Sequence, residues 1–399
     1  MDEVIIIGQN YNTSLGLIKS IGEAGFKCAT VKFNKRTSKI RTYLQVLLSP
    51  DICSKYVKKW VQIPREPETA LINGLIANFG DKTNKKLILP ADDYCAHVLD
   101  KNHQLLIEYF HVPHIINGKH SLDYYMDKQN QKNIAEKFGI DVSKTWNVKI
   151  TQGVKPVIPD SIVYPCMTKP KSSIGLPKSY IQKCSNIAEL QTLLIDISHE
   201  TSCERLIEEY IEVEEEFTIP GISNGIDVLI PSFLKKIVIG KGSHKGVTIC
   251  GKVENSNLYQ NECLKLITMM KAIGFTGIFD IEVLKSGNHF FLNEINFRNG
   301  AAGLSLTKAG VNLPSIYVNN LINDTPFTLL NSHLKKLIFV NDKAALEHYL
   351  VGECTMSEYI ALVNQASVRL IDNKDDRIAR MSFNLLRIKL LIYKYLNFK

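Results

Sequence analysis

Two carboxylates and an amide oxygen recur at short, regular spacing in residues 278–299, IFDIEVLKSGNHFFLNEINFRN. The run reads as two short strands, Phe279 to Leu284 and Phe290 to Ile295, joined at the turn Ser286-Gly287-Asn288. Side chains two apart on a strand share a face, so Glu294 and Asn296 point the same way. A hairpin brings Glu282 opposite Glu294, and Arg298 follows just beyond. Hard oxygen donors of this kind suit Mg²⁺, which binds one or two carboxylates and takes further oxygens from substrate phosphates. The alternative is an exposed hairpin whose polar residues face water.

Further upstream the chain supplies cations and a small-residue loop. Lys169 ends a strand over Ile162 to Lys169 and opens the loop KPKSSIGLPK, with Ser172, Ser173 and Gly175. A lysine followed by such a loop can aim a point charge and backbone N–H groups at phosphate oxygens. No G-x-x-x-x-G-K-[ST] motif occurs, so this is not a P-loop, and a plain lysine-rich surface loop is the competing reading. Lys128 stands at a helix start some forty residues earlier. The acidic run from Glu208 to Glu216 reads equally as a solvated strand edge. Lys235, Lys236, Lys241, His244, Lys245 and Lys252 form a later basic cluster.

Taken in order, these segments resemble the ATP-grasp superfamily over roughly residues 115–325. The resemblance implies an α/β (α+β) fold: an N-terminal parallel βαβ domain, two α+β subdomains gripping ATP, and a C-terminal helical extension. It implies Mg²⁺, or Mn²⁺ in its place, on Glu282, Glu294 and Asn296. Lys128 and Lys169 become the phosphate lysines, and Ser172, Ser173 and Gly175 the phosphate-covering loop, although Pro177 is stiffer than usual there. Glu208, Glu209, Tyr210 and Ile211 correspond to the hinge that binds the adenine edge, through a Glu side chain and backbone groups. Glu216 becomes the ribose ligand. One basic residue of 235–252 approaches the γ-phosphate, with Lys252 and Lys236 leading. Arg298 is expected to clamp the substrate carboxylate or its acyl phosphate, because its planar fork suits such groups. The texture of EINFRNG is similar to the D-aspartate ligase and carbamoyl-phosphate-synthase-like members. The implied activity is an ATP-dependent carboxylate–amine ligase acting on small molecules, with cell-wall or surface-polysaccharide precursors as candidate substrates. A nucleotide-binding regulator without turnover, or an ATP-dependent phosphotransferase, are the rivals.

The elements that must position these residues are legible in outline. Val4 to Ile7 is a buried-type strand, a helix pattern runs through Leu15, Ile18 and Ile21 to Gly25, and Cys28 to Phe33 is a second strand. This opening predicts a parallel sheet. Gly8 and Gly16 do not complete G-x-G-x-x-G, so a nicotinamide site is not expected. After the strand Leu87 to Leu89, Asp92 and Asp93 either face a ligand crevice or cap the next helix. Helices are expected over Lys128 to Phe138, Asn186 to His199 and Glu262 to Ile273. The expected divisions are 1–115, 116–205, 206–328 and a mostly helical 329–399.

With 45% apolar and 22% charged residues, the chain has the composition of a soluble globular protein. Nine cysteines, odd in number and without a C-x-x-C pair, argue for a reducing, cytoplasmic compartment and against a disulfide framework or zinc site. The start MDEVIIIGQNYN is not a signal peptide, and no apolar run approaches a membrane span. The net charge of +8 is spread along the chain with no RNA-binding signature, so no nucleic-acid partner is expected. Residues 381–399 form a basic–apolar segment, expected to pack on the body or on a second copy in a homodimer rather than on a membrane.

Overall fold

The computed structural model of the protein describes residues 3–33, 46–171, 180–241, 246–327 and 334–396. Near-continuous apolar runs build a five-stranded N-terminal sheet in which every pairing is parallel. Its order is Val57–Ile63, Lys27–Phe33, Glu3–Ile7, Lys86–Pro90, Phe110–His111. The chain moves outward from Glu3–Ile7, then returns to its other side. The order therefore reverses between Glu3–Ile7 and Lys86–Pro90, and ligands favour the crevice beyond the carboxyl ends at such a point. Asn10 and Asp93 lie just past those two ends.

A second sheet of four antiparallel strands runs Thr145–Ile150, Cys203–Glu209, Cys166–Pro170, Lys183–Cys184. It has its own apolar core, where Val148, Ile150 and Ile207 meet Leu190, Leu194 and Ile197 of the helix Ile187–Glu200. Asn186 caps that helix, accepting from the Glu189 N–H. The expected division at 205/206 falls inside the strand Cys203–Glu209, which is bonded on both edges. The change of sheet comes instead between Glu209 and Glu215.

The third sheet has nine strands. Its main path is His289–Asn296, Phe275–Ser286, Glu215–Asn224, Ser232–Ile239, Thr248–Asn255, Ile338–Val340, Val368–Arg369. One face packs on the helix Gln260–Ile273 through Phe217, Phe279, Ile281, Leu266 and Met270. The other shares a core with the N-terminal sheet, where Val4, Ile6 and Ile18 meet Leu304, Leu313 and Ile278. The first and third sheets are thus joined through one apolar core, while the second stands on its own.

The C-terminal part is more than a helical extension, since Ile338–Val340 and Val368–Arg369 lengthen the third sheet. Helices Asp342–Leu350, Met356–Gln365 and Arg377–Leu396 accompany them. Ala379 and Phe383 of the last helix are buried in a further apolar core with Val340, Leu346 and Tyr359. Among the described residues no helix is long and apolar enough to cross a membrane.

Candidate functional site

The hairpin forms as its alternation dictates. Phe275–Ser286 and His289–Asn296 pair antiparallel, closing on a two-residue turn with Gly287 at φ 57°. Glu282 pairs directly with Glu294, and Asp280 with Asn296. Cross-strand partners share a face, so Asp280, Glu282, Glu294 and Asn296 converge. A bulge at Asn293 interrupts the register between Glu282 and Val283, and it turns that amide toward the same cleft. The cleft encloses roughly 1390 Å³ and opens between the three sheets, with Asn12, Lys169 and Glu282 on its walls.

Glu282, Glu294 and Asn296 each face a cation. Lys128, at the start of the helix Lys128–Lys137 capped by Asp127, lies 3.4 Å from Glu294. Lys236 Nζ bridges Glu282 at 3.1 Å and Glu216 at 3.3 Å. Burial would lower the Lys236 pKa, but Glu282 and Glu216 more than offset that and raise it. Arg298 donates to Asn296 Oδ1 at 3.0 Å and to Asp93 Oδ1 at 3.1 Å. Asp92, meanwhile, caps the next helix by accepting from the Cys95 N–H. Of this acidic pair, Asp92 takes the cap and Asp93 holds Arg298.

Sequence reasoning missed Asp280, although it precedes Glu282 by two and so had the same alternation behind it. Burial lifts its carboxyl to about 6 despite a 2.5 Å hydrogen bond from the Thr218 hydroxyl, and Glu282 adds to the rise. Gly300 fits against it so closely that a Cβ there would lie 2.2 Å from Asp280 Oδ2.

The second sheet supplies the other wall. Lys169 Nζ sits 2.8 Å from Glu208 and donates to Asn293 Oδ1 at 2.8 Å. Lys132 pairs with the second Glu208 oxygen at 2.9 Å. It was also missed, yet it lies four residues after Lys128, on the same helix face. Burial alone would raise Glu208, but Lys169 and Lys132 hold it down at about 2. Lys132 is lowered to about 8 by burial, against the pull of Glu208. The Glu208 carboxylate is thus taken up by two lysines instead of standing free for a base edge. Glu209, Tyr210 and Ile211 do line the cleft, as do Ile181 and Leu284, with Lys183 3.8 Å over the Tyr210 ring.

Of the basic residues 235–252, Lys252 is placed away from the cleft. Its cross-strand partner is Lys235, which pairs with Phe217 on the face opposite Thr218 and Glu282. Lys252 instead bonds Glu254 at 2.5 Å and is 42% exposed. Lys241 lines the cleft, while His244 and Lys245 lie outside the described residues. Ser172, Ser173 and Gly175 also lie outside them. The segment before that loop is anchored where Lys171 accepts from the Lys128 N–H and pairs with Glu204. The segment after it is anchored at Tyr180, whose carbonyl accepts from Arg205 and Thr168.

No cluster of three His, Cys, Asp or Glu side chains suited to a metal occurs among the described residues. Two carboxylates and one amide oxygen nevertheless match the hard oxygen donors Mg²⁺ prefers, and would hold it together with substrate phosphates.

No protein-family model matches the sequence, and no curated protein sequence matches it significantly. Solved structures do match. The L-amino acid ligase from Bacillus licheniformis superposes with a TM-score of 0.60 at 13% identity, covering 85% of this chain and 79% of that one. The N5-carboxyaminoimidazole synthetase from Staphylococcus aureus, complexed with ADP, gives 0.60 at 17% identity, covering 85% and 82%. The biotin carboxylase from Campylobacter jejuni, in an ATP complex, gives 0.56 at 15%, covering 80% and 70%. The chain therefore has the ATP-grasp fold shared by these enzymes.

Proposed function

We propose that the protein is an ATP-dependent ligase that joins a carboxylate to an amine through an acyl phosphate. The observation that carries this reading is the register pair Glu282–Glu294. It sets two carboxylates in one cleft with Lys128 and Lys169, and Asn296 follows Glu294 by two residues on the same strand face. The adenine edge lies along Glu209–Ile211, and Glu216 reaches the ribose. Lys128 and Lys169 hold the phosphates. Glu282, Glu294 and Asn296 hold Mg²⁺, or Mn²⁺, which supplies charge neutralisation on the phosphates when bound.

A substrate carboxylate oxygen attacks the γ-phosphorus and ADP leaves. The amine then attacks the acyl carbon, phosphate departs with the carboxylate-derived oxygen, and the amine's proton passes to phosphate or water. The chain's work is positioning and charge placement rather than covalent catalysis. Arg298, held by Asp93 and Asn296, stands where the N-terminal crevice meets the hairpin and orients the carboxylate. Cell-wall or surface-polysaccharide precursors are the first substrates to try, on the texture of residues 294–300, EINFRNG. Nine free cysteines support a reducing cytoplasmic compartment.

The test is a screen of mixed carboxylates and amines with ATP and Mg²⁺, read by phosphate release and product mass. An amide formed with stoichiometric ADP and phosphate is the expected result. Phosphoryl esters would identify a phosphotransferase, and nucleotide binding without any product a regulator.

A further inference from the structure

The helix Arg377–Leu396 presents an apolar stripe to solvent. Ile378, Met381, Leu385, Ile388, Ile392 and Tyr395 recur at spacings of three and four, and each is between 52% and 65% exposed. Exposed apolar stripes of this size mark an interaction surface. The helix carries Arg377, Arg380, Arg387, Lys389 and Lys394, and no acidic residue. Arg380 and Arg387 turn to the body and pair with Asp372. Lys394 does the same, donating to the Tyr349 carbonyl at 2.5 Å. A helix that lies on a membrane needs a polar face opposite its apolar one. In the folded protein the body takes up that polar side, and what remains outside is apolar and flanked by Arg377 and Lys389.

Spacing of three and four also suits a second helix of the same kind, and charge decides between the two. In a coiled coil the residues flanking the seam pair with opposite charges across it. Here they are Arg377, Asn384 and Leu391 on one side and Ser382, Lys389 and Leu396 on the other, with no carboxylate. Two copies would bring Arg377 and Lys389 of each, four basic side chains, to the seam with no carboxylate on either helix to face them. An anionic lipid surface offers an apolar layer for the stripe and headgroup charge for the lysines and arginines. Tyr393, 69% exposed, is amphipathic and suits the depth where the two meet.

We propose that this helix docks the protein flat on a membrane surface containing anionic lipid. The test uses the full chain and sedimentation with vesicles of phosphatidylcholine alone, or of phosphatidylcholine with about a third phosphatidylglycerol. Binding to the anionic vesicles is expected, weakened by added salt. The L385E/I388E variant should bind about tenfold less or worse while keeping its melting temperature and its ATP-induced thermal shift. Should that variant fail to fold, R377E/K389E tests the charge contribution alone and is expected to lose the preference for anionic vesicles. Equal sedimentation of wild type and variants, or none for wild type, overturns the proposal. A dimer by light scattering that L385E/I388E splits, without vesicle binding, overturns it in favour of a second copy.

Discussion

Replacing Glu208 with glutamine should cost stability and nucleotide affinity together. The side chain is 5% exposed and lies between Lys132 at 2.9 Å and Lys169 at 2.8 Å. Its fall from 4.5 to about 2 corresponds to about 3 kcal/mol of preference for the charged carboxylate. Glutamine removes that charge and leaves two lysine ammonium groups facing one another in a buried site. Losing one partner of such a set commonly costs about 3–5 kcal/mol. Lys132 limits the loss, because burial already lowers it to about 8 and it can shed its proton. We therefore expect the variant to lose about 2–3 kcal/mol at neutral pH. The deficit should narrow as pH rises through about 8, where Lys132 is neutral in wild type as well. Lys169 would lose its anchor, so the ATP-induced rise in melting temperature should shrink too. The assay is thermal unfolding at pH 7 and pH 9, with and without ATP and with GTP. An unchanged melting temperature combined with altered preference between ATP and GTP would refute this reasoning. It would put the Glu208 carboxylate on the base edge instead.

Glu294→Gln keeps the hairpin and removes one carboxylate charge, so Mg²⁺-dependent phosphate release should fall by on the order of 10²-fold; near-wild-type turnover would remove Glu294 from the site. Arg298→Lys keeps charge but loses the fork that reaches Asp93 and Asn296 together. Little-changed ATP affinity with a strong loss of product is expected, whereas lost melting temperature with intact kinetics would make the arginine purely structural. Asp280→Asn tests the raised carboxyl. Its folded value of about 6 lies above the ordinary 3.8, so its stabilising share is present below about 3.8 and lost as pH rises through about 6. Without metal, the variant should melt above wild type at pH 8 and close to it at pH 4, and an equal difference at both would contradict the assignment. Lys252→Ala should leave ATP binding unchanged, as its pairing with Glu254 outside the cleft requires; a weakened thermal shift with ATP would return Lys252 to the site.

The hairpin was readable because strand alternation is strict. Asp280, Glu282, Glu294 and Asn296 all obey it, and Glu282 meets Glu294 in register. Asn293 was not readable, since a bulge adds a residue without a local sequence mark. Lys252 shows the same limit from the other side. Alternation tells which residues share a face, but only the partner strand decides which face meets the cleft. Glu208 was expected at the adenine hinge, but its ion-pair partners come from the helix Lys128–Lys137 and the neighbouring strand Cys166–Pro170, so they belong to the tertiary structure. Ile338–Val340 is three residues long, too short for any period, which is why 329–399 read as helical. The parallel opening was plain because both of its strands are buried on both faces.

The ligase reading depends on an acyl phosphate, and oxygen transfer tests it most directly. Substrate carboxylates labelled with ¹⁸O in both oxygens would be turned over with ATP, Mg²⁺ and an amine, and the phosphate analysed by mass. Attack on the γ-phosphorus carries one carboxylate oxygen into the bridge, and amine attack at carbon releases it with phosphate. One ¹⁸O in each phosphate and one in each amide is the expected result. Unlabelled phosphate, with both labelled oxygens still on the acid, would contradict the account.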